Sequence, residues 1–440
     1  MFSIRALRAL RSGPTYSRLG DLHPASDLEK LSAPHRRRFL PRLLAAVVTA
    51  LLPSFLLSVP TCLRRTSRPN PTPLSPTAYL DGLRGVAALT VYIFHLTYLW
   101  FPFLRAGYGS TPDDTRVLQL PLLRVFHSGR ASVTTFFVIS GYVLTLKSIT
   151  AVHRGHPEKV LEALAGGLFR RPFRLYLPII VSTGIVAVLV RWQGVLVPDL
   201  RGGDVPPRLP TAGHQFWHWV ATTEKMVSPF RAVTGRENLW GNEYNGHLWT
   251  IPTEFKGSLE VFLYPETHGA QSWGFEGLER WVPGWYKGNE DRVQQFWISV
   301  GSILFIGGLM GSPGGRSGGE PVLQRVFTSG FAQYLGKISY SLYLWHGTVN
   351  HVIALRYLHP AWKALQAAEI AAIAAMNKGD TAQAEGLRSA AMAVYTREWL
   401  WVAFLNTLFL FWISDLFHRG VDTPSVKLTR RISEWALAKS

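Results

Sequence analysis

The chain has 440 residues, a formal net charge of +18, 16 Trp and a single cysteine, Cys62. One cysteine excludes an internal disulfide and a cysteine-based metal site. The Lys and Arg residues flank long apolar blocks and form no separate basic domain, which points to positive loops beside lipid headgroups and away from nucleic acid.

Residues 1–38 read as a basic, disordered tail ending in HRRR. Acidic Asp21, Asp27 and Glu29 lie within it, which fits a tail better than an organellar leader. The next block, 39–59, is long enough to span a bilayer but holds Pro41, Arg42 and Pro53. Basic residues on both sides leave crossing and interfacial readings open. The Pro-rich remainder of 39–78 reads as a linker. Clearer apolar spans come next, at about 85–104, 132–147, 175–197, 248–264, 296–310, 332–357 and 398–417. The predicted fold class is therefore all-α: a polytopic transmembrane helix bundle of about 7–8 recognisable spans over 79–428, followed by a basic tail, 429–440. Extramembrane loops fall at 198–247, 265–295 and 359–397, the last with two Ala-rich helical halves separated by NKGD. Alternating the spans from a cytosolic Arg64–Arg84 puts Arg419, Lys427, Arg430 and Arg431 on the wrong side. An odd number of spans is therefore expected to be missing near 265–295.

Several polar residues sit in or beside the spans. Arg84 and His95 are eleven residues apart, so at about 100° per residue they share a helix face, roughly 16 Å apart along the axis. That depth puts His95 near mid-membrane, where an ionisable residue faces a bundle interior or a wet cavity. Tyr92 lies near the same face. Asp81 is placed as a helix cap or as the partner of Arg84. Ser140 and Gly141 permit close helix approach. Arg170, Arg171 and Arg174 precede a span, either as a positive-inside anchor or as a phosphate-binding patch. His247, Glu254, Lys256 and Glu260 crowd another span, more charge than lipid packing explains. Ser339, Tyr343 and His346 share one face, which suits a wet internal surface or an interfacial belt. His214 and His218 have i,i+4 spacing but no third ligand, so no metal is expected.

Six segments in order, LDGLRGVAALTVYIFH (80–95), FFVISGYVL (136–144), RRPFRLYLP (170–178), LWTIPTEFKGSL (248–259), YLGKISYSLYLWHG (334–347) and ISDLFHRGVDTPSVKL (413–428), resemble the membrane acyltransferase family three, in particular its fungal branch. The resemblance implies a multi-pass membrane enzyme, in the plasma membrane or an endomembrane, that moves an acyl group from acyl-CoA, usually acetyl-CoA, to a hydroxyl. Acceptors in the family include glycans, lipids and small secondary metabolites. The family's Arg–His motif maps onto Arg84 and His95, its Arg-rich motif onto Arg170, Arg171 and Arg174, and its Glu onto Glu254. It also implies more spans between the Glu-containing and Tyr-Leu-x-His segments than the apolar runs of this chain supply. In the mechanism so implied, the arginines hold CoA phosphates. His95 is general base or transient acyl carrier. Arg84 orients the thioester or stabilises its oxyanion, and Glu254 orients His95 or binds acceptor hydroxyls. His418 and Asp422 have the His-x-x-x-Asp spacing of some soluble CoA-dependent acyltransferases but lack the usual following Gly. A transporter using the same ionisable face, and a non-catalytic membrane scaffold, are the alternative readings.

Overall fold

The computed structural model describes residues 49, 51–54, 74–112, 114–156, 158–192, 196, 205–228, 242–263, 290–310 and 322–437. The chain divides into two compact units, Met1–Pro71 and Thr72–Ser440, and the second carries every candidate functional residue. The expected tail 1–38, most of the 265–295 loop with its missing span, and the Gly-rich stretch 311–320 lie outside the described residues.

Every regular element described is helical. The main ones are α1 (Ala78–Tyr98), α2 (Gly129–His153), α3 (Glu158–Val190), α4 (Ala212–Val227), α5 (Thr250–Leu263), α6 (Glu290–Met310), α7 (Val322–Thr328), α8 (Gly330–Val349), α9 (Leu355–Asn377), α10 (Thr381–Phe417) and α11 (Thr423–Leu437). Three runs among the described residues are long and apolar enough to cross a membrane: α2, α3, and the continuous helix Thr381–Ala436. The seven or eight spans read from the sequence are thus not all matched by helices of that kind. The physical reason is visible in α1 and α8. Their apolar residues are interleaved with Gly, Ser, Tyr and charged groups because these helices face other helices, where lipid-like hydropathy is not required. By contrast, the apolar window of α2 is 12% buried, so it presents Val143, Ile149 and Val152 outward.

At the centre of the bundle, α1 packs against α8, and both run from their arginine- and serine-bearing ends toward their histidines. Glycines set the spacing. A Cβ on Gly85 would lie 2.2 Å from the backbone nitrogen of Gly336, and one on Gly336 would lie 2.4 Å from the carbonyl oxygen of Asp81. Only residues without a side chain let two backbones approach this closely. Helix α3 carries Pro172 and Pro178 in its interior. The Tyr340 hydroxyl of α8 donates to the Leu175 carbonyl in the turn before Pro178, so a neighbouring helix serves the backbone where proline disturbs it.

The 359–397 region is helical on both sides of a short break. Gly379 takes φ +84°, and the Asp380 side chain accepts the Gln383 amide at 2.9 Å to start α10. Ala372, Ala375 and Ala384 are buried between the two arms, and Arg388 grips Glu369 from outside through three bonds of 2.6–3.1 Å. Helix α10 then runs on through the 398–417 span without interruption. A π-turn, His418–Asp422, joins it to α11, so the expected tail 429–440 begins as helix up to Leu437. The predicted loop 198–247 contains α4, capped by the Thr211 side chain, which accepts the His214 amide at 3.1 Å.

Between α1 and α2 the chain folds around Asp114. Its carboxylate accepts the Thr111 hydroxyl at 2.8 Å and the Gln119 amide at 2.7 Å, and these donors, Thr111 first, hold its pKa below the ordinary 3.8. A depressed carboxylate stabilises the fold above its unfolded pKa, and that contribution is lost as pH falls through the folded value. The Gly109 amide, which donates to the Asp114 carbonyl at 2.7 Å, is therefore expected to lose exchange protection only below pH 3.8. Hydrogen exchange read by mass spectrometry checks this; protection declining already near neutral pH refutes it.

Candidate active site

The functional residues fall in two layers. The first lies where α1, α2, α3, α5 and α8 meet. Arg84 donates through Nε to Ser339 Oγ at 3.2 Å, and its Nη2 lies 3.4 Å from Asp81 Oδ1. Asp81 stands in the first turn of α1, next to Arg84 and not at the cap position, which Thr77 occupies. The Ser339 hydroxyl in turn donates to the Gly336 carbonyl at 2.9 Å. Beside this pair, Arg171 Nη2 meets Glu254 Oε1 at 2.8 Å and donates to Ser140 Oγ, and Ser140 donates to the same carboxylate oxygen at 3.2 Å. The Arg171 and Glu254 side chains are 16% and 23% exposed, so each neutralises a largely buried partner.

The arginine cluster read from sequence is divided. Arg170 turns toward α11 and donates to Ser433 Oγ at 3.3 Å. Arg171 is committed to Glu254. Arg174 is exposed, makes no ion pair among the described residues, and lies close enough to Arg84 and Arg171 for each to feel its charge. Among the three, it is the cation free to meet an incoming anion. His418 and Asp422 also face this end: they pair at 2.9 Å, with Thr423 Oγ1 3.3 Å from the other ring nitrogen, and the Asp422 charge reaches Arg84.

The second layer is made of imidazoles. Ring centres of His95 and His346 are 5.0 Å apart, those of His346 and His247 4.0 Å, and those of His95 and His247 6.4 Å. Both His247 Nε2, at 2.8 Å, and His346 Nδ1, at 2.7 Å, reach the main-chain carbonyl of Tyr343. A carbonyl only accepts, so those two nitrogens carry the protons. That assignment leaves Nδ1 of His247 and Nε2 of His346 with lone pairs in the neutral rings. The Tyr343 hydroxyl bonds Thr250 Oγ1 and donates to the His247 carbonyl, tying α8 to the start of α5. Gly347 makes room: a Cβ there would lie 2.5 Å from His247 Nδ1.

His95, His247 and His346 line a partly open cavity of about 270 Å³, walled by Tyr98, Trp100, Tyr244 and Trp249. His95 is exposed to it, whereas His346 is 1% exposed. Tyr92 lies elsewhere. Its hydroxyl is held by Thr407 at 2.8 Å and Asn406 at 3.0 Å on α10.

Glu254 does not touch His95, because it stands seven positions beyond His247 along α5 and its leading turn, roughly 10 Å of helix. Its role as orienter of His95 is replaced by its pairing with Arg171. Tyr244, Asn245 and Trp249 come from the end of a long polar stretch and carry no periodic signal. His214 and His218 are held separately, His214 by Thr211 and His218 by Tyr244 and Glu243.

A family model described as an acyltransferase domain matches residues 77–282, which include His95, His247, Arg84, Ser140, Arg171, Arg174 and Glu254 but not Ser339, His346, His418 or Asp422. An O-acetyltransferase of Phomopsis amygdali is 24% identical over 463 residues, covering 82% of this chain and 85% of that protein. An acyltransferase of a Phoma species is 27% identical over 238 residues, 44% of this chain and 49% of the relative. An acyltransferase of Cochliobolus lunatus is 28% identical over 237 residues, with the same two shares, 44% and 49%. Against these last two, the match spans about half of the relatives' length. No solved structure matches. With the three apolar helices and the residues gathered along α1, these likenesses make the chain similar to fungal acyltransferases and support a membrane enzyme that transfers acyl groups.

Proposed function

We propose that the enzyme moves an acyl group, acetyl in the simplest case, from acyl-CoA to a hydroxyl of a carbohydrate, lipid or secondary metabolite. The observation that carries this reading is the pairing of a free cation with an accessible imidazole along one bundle: Arg174 at one layer, His95 on the cavity at the other. The name of the Phomopsis amygdali relative, an O-acetyltransferase, supports acetyl as the group and oxygen as the acceptor atom. The protein is read as multi-pass, in the plasma membrane or an endomembrane, with α1, α5, α6 and α8 joining the three apolar runs as spans.

Arg174, with Arg84 beside it, would take the CoA phosphates. The helix rise puts Arg84 roughly 16 Å from His95 along α1, and long helical side chains lean toward the helix N-terminus. Arg84 is therefore assigned to binding CoA, not to the oxyanion at the reacting carbon. The pantetheine arm supplies the reach between the layers. At the cavity, His95 removes the acceptor's hydroxyl proton as the oxygen attacks the thioester carbonyl. The C–O bond forms, the C–S bond breaks, and the leaving thiolate takes the proton back from His95.

The test is purified protein in detergent with labelled acetyl-CoA and a panel of sugar, sterol and aromatic alcohols. Arg174→Ala is expected to raise KM for acyl-CoA about tenfold, the equivalent of ~1.4 kcal/mol, with kcat within about twofold. An unchanged KM removes Arg174 from the CoA site.

A further inference from the structure

His346 Nε2 is a buried nitrogen with no hydrogen-bond partner among the described residues. The Tyr343 carbonyl already holds the proton of His346 on Nδ1, so Nε2 is an acceptor and needs a donor. A buried polar atom left unsatisfied is costly, and such atoms concentrate where chemistry is done. Of the two imidazoles beside it, His247 already gives its proton to the Tyr343 carbonyl, which leaves His95 as the ring able to donate. Its ring touches Phe94, His346 and His247, and it is exposed to the cavity on its remaining side. Two five-membered rings whose centres lie 5.0 Å apart can join through one N–H···N bond of the usual ~2.9 Å when one ring turns about its Cβ–Cγ bond. His247 is nearer to His346, with ring centres 4.0 Å apart, but its Nε2 proton goes to the Tyr343 carbonyl and its lone-pair nitrogen lies against Gly347, so it has no proton to give His346.

We infer that His346 is the positioning residue of His95: its Nε2 accepts the N–H of one His95 nitrogen and so turns the lone pair of the other toward the acceptor hydroxyl. This rests on the reading of His95 as base. It gives His346 the part that a carboxylate plays in other base–orienter pairs, without placing a negative charge in the bundle. When the acceptor proton reaches the cavity-facing nitrogen of His95, the opposite N–H stays on His95 and leans harder on His346 Nε2. When CoA thiolate leaves, the cavity-facing proton goes to sulfur and the pair returns to its starting state.

The test needs no knowledge of the acceptor. Diethyl pyrocarbonate modifies an imidazole at its lone-pair nitrogen, and the rate at His95 can be followed by mass spectrometry in the intact protein in detergent. His346→Met removes the acceptor at similar volume; His346→Gln keeps one. The expected result is a fall of about fivefold at His95 in His346→Met, with His346→Gln within about twofold of wild type and the exposed His153 unchanged in both. Equal rates in the two variants, whether both fallen or both intact, overturn the inference. Where the variants do not fold, the wild type labelled with ¹⁵N-histidine decides: scalar coupling between nitrogens of two different imidazoles is expected, and its absence overturns the pairing. The base reading fails separately, if His95→Ala retains transfer; a dead His95→Ala with no imidazole coupling removes only the role of His346.

Discussion

Replacing His95 with Ala is expected to lower acyl transfer by about 10³-fold, within the ~10²–10⁴ range typical of a lost general base. The loss should fall on kcat. KM for acyl-CoA should stay within about twofold, because the cationic layer lies roughly 16 Å away along α1. The fold should also survive, since His95 faces a cavity and removing it opens no sealed core. Steady-state kinetics with labelled acyl-CoA, on protein shown to be monodisperse in detergent, check all three statements. Turnover near the wild-type rate would remove His95 from the chemistry. A rise in KM at constant kcat would instead make it a binding residue.

The second large effect is structural. Gly336→Val should prevent the α1–α8 pair from forming. The added Cβ would lie 2.4 Å from the Asp81 carbonyl oxygen and 2.7 Å from its carbon, and both are main-chain atoms that no rotamer change can move. Overpacking a core by a methylene or two costs about 1–3 kcal/mol when side chains give way, and here only separation of the helices would relieve it. We expect little or no monodisperse protein from Gly336→Val. Gly308→Ala is the control, since nothing lies within 4 Å of the atom it adds; it should unfold at the wild-type temperature. Size-exclusion chromatography and thermal unfolding in detergent compare the two. A Gly336→Val protein as stable as the control would show that the helices do not approach so closely.

Much of this arrangement was legible in the sequence, and the limits have physical causes. The apolar runs of α2 and α3 are long, that of α2 mostly outward-facing and that of α3 half buried, so hydropathy finds them. The placing of Arg84 and His95 on one face follows from helix geometry within a single element. NKGD breaks the Ala-rich region where Gly379 takes a left-handed turn and Asp380 caps the next helix. The sequence does not show that α10 continues from that break into the membrane, because nothing between Tyr395 and Phe417 interrupts a helix whether it is wet or in lipid. Pairings between elements were the least legible. Glu254 could be matched to His95 or to Arg171 by chemistry alone. The level of each on its helix decides between them, and His247, seven residues before Glu254, already occupies the His95 level. Tyr92 lies near the His95 face by angle, but α10 supplies Asn406 and Thr407 on that flank.

The hub of the imidazole layer is a main-chain oxygen. A substitution scan changes side chains, and at position 343 it would report on the phenol alone: Tyr343→Phe removes the bonds to Thr250 and to the His247 carbonyl and leaves the two imidazole protons where they are. The atom on which both tautomers depend has no codon. Position 343 can therefore drift among relatives while the proton arrangement of His247 and His346 is inherited through the backbone, and a tolerant score at this position would say nothing about how much chemistry passes through it.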